Sequence, residues 1–154
     1  MTIKTKLFGE IEVNEEKTIH FVTGIVGFPE LKDFLLIHDS EKEDSNISWM
    51  QSVQEPEFAM PVINPLFIVE DYNPEIEDEL LSPLGELHQD DMLVLVTITV
   101  PSEITNMTIN LRAPIVINGE NRKACQVIAE GEHYAVKYPI YDILMAAKKE
   151  KAGE

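Results

Sequence analysis

The strongest constraint on this chain is the spacing of its apolar residues, which recur at every second position in short runs broken by Gly, Pro, Asn or Asp. The longest run is Met92 to Val100, where Val94, Val96, Ile98 and Val100 alternate with Leu93, Leu95, Thr97 and Thr99. Both faces of that strand are therefore expected to be buried, except at its Thr end. Ile3, Thr5 and Leu7 alternate with Lys4 and Lys6, and Ile11 and Val13 bracket Glu12, which predicts two short edge-like strands. Thr18 to Val22, Phe34 to His38, Ile47 to Ser52, Phe58 to Ile63 and Leu66 to Val69 read as further strands. Asn118-Gly119-Glu120-Asn121 predicts a hairpin between Pro114–Asn118 and Ala124–Ala129, with Gly119 supplying a positive φ.

Helix signals are few. Asn73-Pro74 suits an N-cap and first helical position before Glu75 to Leu81, with Pro83 as the stop. A second helix is expected from Ile140 to Lys151, where Ile140, Ile143, Leu144 and Ala147 share a stripe. A chain of 154 residues fits one domain. Seven to eleven short strands with no internal repeat make it all-β: a single-domain antiparallel barrel or sandwich with one or two short helices. The pattern does not fix the strand order.

Charge is the second constraint. The chain has 12 basic and 28 acidic residues, a net charge of -16. Asp39 to Asp91 holds 15 of the acids and a single base, Lys42, so this stretch carries -14 and the remainder only -2. That field disfavours direct nucleic-acid binding and anionic membranes and suits a basic or apolar partner; solvation of acidic loops is the plainer reading. With 44% hydrophobic and 26% charged residues the chain is expected to fold. One cysteine, Cys125, no apolar leader after Met1 and no run of about 18 apolar residues predict a cytoplasmic protein without a membrane span.

The residues carry no recognisable catalytic set. Ser52 lacks a glycine elbow. His20, His38, His88 and His133 lack the spacing that puts two metal ligands on one face. His88 with Asp90 and Asp91 could touch a hard cation, but a solvated turn explains them better. Cys125 lies inside a strand run and reads as a small buried hydrophobe. Gly24-Ile-Val-Gly27-Phe28-Pro29 lacks the ending of a phosphate loop and reads as a turn. No catalytic, metal-binding or cofactor-binding residue is assigned.

Several strings, in this order and spacing, resemble the flagellar assembly factor FliW family. They are Phe8-Gly-Glu-Ile-Glu, Ile19 to Phe21 with Gly24-Ile-Val-Gly27-Phe28, Trp49-Met-Gln51-Ser52, Pro65 to Tyr72, Val94 to Pro101, Met107 to Asn118, and Gln126-Val-Ile. The resemblance spans residues 3 to 138; Met60-Pro61 interrupts a segment that is more uniformly apolar in the family. It implies a barrel domain over residues 1–139, with residues 140–154 a helical or frayed tail. It also implies a non-enzymatic regulator that binds cytoplasmic flagellin and, once flagellin is exported, binds and antagonises the translational repressor CsrA. The rival reading is an enzyme acting on a cationic substrate or using a hard metal at acidic residues.

Flagellin's terminal helices are amphipathic and call for an apolar patch, for which Trp49, Met50, Phe67 and Tyr72 are candidates. Each also suits a core position. Glu70 and Asp71, at a run end beside an aromatic, are the candidates for CsrA. Gln51 and Ser52 are expected to tie a buried loop, Thr108 and Asn110 to serve strand-end hydrogen bonds, and Pro101 and Pro114 to sit at strand ends.

Overall fold

The computed structural model describes residues 2–6, 8–22, 25, 28, 30–38, 47–74, 76–86, 89–129 and 134–152. In chain order the strands are β1 (Thr2–Thr5), β2 (Gly9–Glu12), β3 (Ile19–Phe21), β4 (Asp33–His38), β5 (Ile47–Ser52) and β6 (Ala59–Ile63). They continue as β7 (Met92–Thr99), β8 (Thr108–Ile109), β9 (Ile115–Asn118), β10 (Lys123–Gln126) and β11 (Tyr138–Pro139). Two helices accompany them, α1 (Asp78–Leu81) and α2 (Tyr141–Ala152).

Seven strands close on themselves in the order β7-β6-β5-β4-β3-β10-β9, with β9 returning to β7 through Met92↔Asn118, Leu93↔Ile117, Val94↔Val116 and Leu95↔Ile115. The length and double-sided burial of β7 let one strand serve three partners: β6, β9 and, at its far end, β8 through Ile98↔Ile109. β11 extends this flap by pairing with β8. The hairpin β1–β2 forms a separate two-stranded sheet, whose turn residue Phe8 sets its ring edge-on to Trp49, 6.0 Å away.

The barrel interior is filled by side chains. Phe21, Phe34, Met50, Val62, Leu95, Ile115 and Ile117 form its core, as expected of a small barrel whose lumen is just wide enough for them. A second core lies outside the barrel wall, where Ile63, Val96, Ile98, Ile109 and Leu111 meet Tyr72 and Ile140. A third gathers Leu84, Val116, Cys125 and Val127. Both outer cores are covered by the segment between β6 and β7, here called the strap: Ile68, Val69 and Tyr72 pack on the second, Ile76, Leu81 and Leu84 on the third.

The closed barrel settles the open choice between barrel and sandwich, and most strand runs fall where the alternation places them. Four local expectations are corrected. Leu66 to Val69 is not a strand: Asn64 Oδ1 accepts from the Leu66 N–H at 3.0 Å and Pro65 opens a single 3-10 turn, Pro65–Phe67, because proline's fixed φ suits a turn start. The short helix begins at Asp78 with Glu77 as N-cap. Asn73 lies four residues before that cap, its backbone N–H donating to Tyr134 Oη at 2.8 Å; the α-helix ends at Leu81 as expected, and Pro83 sits in the separate 3-10 turn Ser82–Leu84 that follows it. The sheet is not wholly antiparallel, since β10 runs parallel to β3 through Lys123↔His20 and Ala124↔Phe21.

The fourth correction concerns the hairpin. The β9–β10 pairing forms as expected, but the positive φ falls on Arg122, at 59°, and not on Gly119. Gly119 is needed for closeness: its N–H donates to the Asp91 carbonyl at 2.7 Å, and a Cβ there would sit 2.7 Å from that oxygen. Asn118 locks the same junction, donating from Nδ2 to the Leu84 and Glu86 carbonyls and accepting at Oδ1 from the Glu120 N–H. Thus the hairpin turn is also the clamp on the strap's far end.

Gln51 and Ser52 tie their loop as expected, with Gln51 Nε2 donating to the carbonyls of Ser52, Pro56 and Phe58 and Ser52 Oγ accepting from the Glu55 N–H. Asn110 Oδ1 accepts from the Arg112 and Ala113 N–H groups at the end of β8. In the C-terminal region, Ile140 is fully buried and its N–H donates to the Met107 carbonyl, while Leu144 packs on the second core. Leu7, Gly24 and Gly27 lie outside the described residues.

Gly119→Ala is expected to lower the unfolding free energy by at least about 1 kcal/mol, since the new methyl collides with backbone rather than with a movable side chain. A urea midpoint equal to the parent's would show that the clamp can open at no cost.

Candidate functional site

Much of the acidic stretch found in the sequence lies on the strap's outer surface, with Glu55 and Glu57 in the β5–β6 loop before it. Glu55, Glu57, Glu70, Asp71, Glu77, Asp78, Glu79, Glu86, Asp90 and Asp91 are all exposed, while Ile68, Val69, Tyr72, Ile76, Leu81 and Leu84 turn inward. Burial of the apolar set therefore fixes which way the carboxylates face. Among the described residues, none of Glu70, Asp71, Glu77, Asp78 or Glu79 has a Lys or Arg within salt-bridge distance. Asp39 to Asn46, Glu75 and His88 lie outside the described residues.

The six sequence candidates separate. Glu70 and Asp71 are exposed, immediately after the turn that leaves Leu66 51% and Phe67 39% exposed. These four exposed residues, two apolar and two anionic, are the candidate patch. Tyr72 is only 8% exposed and works from beneath: its hydroxyl donates to the Leu111 carbonyl at 2.5 Å, and its ring meets Tyr134 edge-on at 4.7 Å. Because Tyr134 in turn accepts from the Asn73 N–H, the patch is pinned on its C-terminal side. Met50 has no exposed surface and fills the barrel core. Trp49 lies on the opposite face of β5 from Met50, half-buried beneath Phe8.

Sequence reasoning missed four contributors. Leu66 and Leu80 are exposed apolar residues beside acids, hidden in the sequence because each sits in a run that looks like core. Asn118 and Tyr134 position the strap from far along the chain, 34 and 61 residues from the groups they bond. Asn118 was visible only as a turn signal.

No group of three metal-ligating side chains occurs among the described residues, and His133 falls outside them. Cys125 is buried under α1, its Sγ 3.7 Å from the Leu80 carbonyl, and burial pushes the thiol up to about 11 from its ordinary 9.0. It is an inert core group at neutral pH. Burial, with a smaller contribution from Tyr134, also raises the Tyr72 phenol well above its ordinary range. No helix among the described residues is long and apolar enough to cross a membrane.

The fold and the strap define a class: a closed barrel of seven strands, solid inside, that displays its charge on an outer strap. The family model described as FliW protein matches residues 2–140. The flagellar assembly factor FliW of Lachnospira eligens is 50% identical over 153 residues, covering 98% of this chain and 99% of its own. That of Lachnoclostridium phytofermentans is 46% identical over 155 residues, covering 100% and 99%. The crystal structure of a flagellar assembly factor FliW superposes with a TM-score of 0.83 at 32% identity, covering 92% of this chain and 97% of that one. The chain belongs to the FliW family.

Two outcomes follow from these environments. Above pH 9 the unfolded Cys125 thiol ionises while the folded one stays protonated, so the unfolded chain binds fewer protons and stability falls between pH 9 and about 11. The loss is up to about 1.4 kcal/mol per pH unit for each such group, Tyr72 adding its share from its ordinary value upward. Urea midpoints that stay flat over that window would show that the thiol ionises within the fold. Trp49→Ala is expected to destabilise more than Phe67→Ala, roughly 2–3 kcal/mol against under about 1.5; the reverse order in thermal melts would make Phe67 the packed residue and Trp49 the free one.

Proposed function

We propose that this protein is a regulatory binding factor that holds flagellin in the cytoplasm and, when free of it, binds and antagonises the translational repressor CsrA, releasing flagellin mRNA for translation. The reading rests on FliW family membership, and the observation that carries it is the patch of Leu66, Phe67, Glu70 and Asp71 held on a fixed strap. Such a patch suits both partners. Outward carboxylates attract a basic RNA-binding protein and speed encounter with it. Exposed leucine and phenylalanine side chains offer an anchor for an amphipathic helix of the kind that ends flagellin. Glu70, Asp71 and Phe67 are the contact residues in this reading; Tyr72 supports the patch from below, Met50 fills the barrel core, and Trp49 belongs to a second, partly covered face. Catalysis has no part in it.

The test is titration calorimetry against purified CsrA, alone and after saturation with flagellin. Binding abolished by flagellin is the expected result; binding to neither protein overturns the reading. Glu70→Lys with Asp71→Lys is expected to leave stability within about 0.5 kcal/mol, to weaken CsrA binding and to flatten its salt dependence. An unchanged CsrA affinity in that variant would place the interface elsewhere.

A further inference from the structure

Of the Gly24 to Pro29 string, Ile25 and Phe28 are described. Phe28, bridged to Ile25, leaves 43% of its surface exposed at the end of the barrel. Its ring lies 5.0 Å from that of Phe58, tilted by 55°, and Phe58 is backed edge-on by the core residue Phe34 at 6.3 Å. Phe28, Leu31 and Phe58 form the apolar floor of a cleft of about 460 Å³, with Glu30, Gln54 and Glu55 completing its walls. Leu31, Phe34 and Phe58 belong to the barrel core, whereas the strap packs on the two outer cores. This site is separate from the patch at Glu70 and Asp71.

The loop that forms one wall of the cleft is tied in place. Gln51, fully buried, grips the loop that carries Gln54 and Glu55 through three carbonyls, at Ser52, Pro56 and Phe58. Its own Oε1 is left without a hydrogen-bond partner among the described residues, a destabilising arrangement that persists while the side-chain amide serves the loop. From outside, Gln54 clasps Asp33: its Nε2 donates to Asp33 Oδ2, and its Oε1 accepts from the Asp33 N–H at 3.0 Å. Asp33 Oδ1 is in turn paired with His20 Nδ1 at 2.8 Å. The Asp33 charge is thereby committed. Glu30 and Glu55 are exposed and have no Lys or Arg within salt-bridge distance among the described residues.

We propose that this cleft is a docking site for an arginine side chain of a partner polypeptide. Two free carboxylates beside an aromatic face repel anions and would be partly desolvated, unpaired, by a purely apolar ligand. A guanidinium satisfies both features at once: its plane stacks on an aromatic ring while its fork of N–H donors meets a carboxylate. Lysine offers a point charge without the plane, so the geometry selects arginine. Holding the loop in place beforehand reduces the ordering cost of capture.

The test uses the full chain, isotope-labelled for amide NMR, and three acetylated, amidated pentapeptides of glycine with a central arginine, citrulline or lysine. The arginine peptide is expected to shift the amides of Glu30, Leu31, Gln54 and Phe58 in a saturable way and to leave those of residues 70–79 in place. Citrulline should produce no saturable shift and lysine a weaker one. Glu30→Gln with Glu55→Gln should weaken arginine binding by at least about tenfold, as loss of a charge-assisted pair does. Phe28→Ala should weaken it too, with an unchanged melting temperature as the control on folding. Equal binding of citrulline or lysine, shifts centred on the strap, or no saturable shift with arginine would each overturn the proposal. The experiment contains neither CsrA nor flagellin, so its failure is distinct from failure of the regulatory reading.

Discussion

Everything in this structure depends on the closure made by β10. That strand pairs antiparallel with β9 and parallel with β3, while β9 pairs with β7, so one short segment joins the first strands of the barrel to the last. Without it, β3 and β9 would present open edges to other chains, and the core of Phe21, Phe34, Ile115 and Ile117 would lose one wall. The turn entering β10 is also the junction at which Asn118 and Gly119 grip the strap at Leu84, Glu86 and Asp91. Barrel closure and the placing of the acidic surface are thus a single structural event.

A barrel of seven strands has no room inside for a ligand once Met50, Val62 and Leu95 occupy it. Its working surfaces must lie outside, and they lie on different supports. The strap is a long connection with an apolar inner edge, seated on two outer cores and pinned by Tyr72, Asn118 and Cys125's neighbourhood. The arginine cleft sits on the end of the inner core and is shaped by Gln51. One surface is broad and anionic, suited to encounter; the other is small and aromatic, suited to a single side chain.

The legible parts of the chain were those whose environment repeats locally. Alternation at Met92 to Val100 placed β7, and Asn118-Gly119 placed the β9–β10 turn, because strand pairing across a tight turn involves neighbours in sequence. The segment Leu66 to Val69 failed for the same reason: four apolar residues look alike in a strand or in a turn packed on a core, and Asn64 with Pro65 decided between them. Of the candidate contacts, Glu70 and Asp71 were legible as charge, but Met50 and Phe67 read identically as apolar residues and came to rest in opposite places, one inside the barrel and one at its surface. Phe28 and Phe58 gave no sign of meeting, since thirty residues separate them.

The sequence alone determined the all-β class, most strand positions, the concentration of carboxylates between Asp39 and Asp91, and the family strings from Phe8 to Gln126. These are properties of composition and of local period, fixed by side-chain alternation on a pleated backbone. Tertiary structure decided the parallel β3–β10 pair, the need for Gly119 beside Asp91, the outward direction of the acids, and the meeting of Phe28 with Phe58. Each of these joins residues far apart in the chain, and such contacts exist only once burial of the whole apolar set has chosen one closed arrangement.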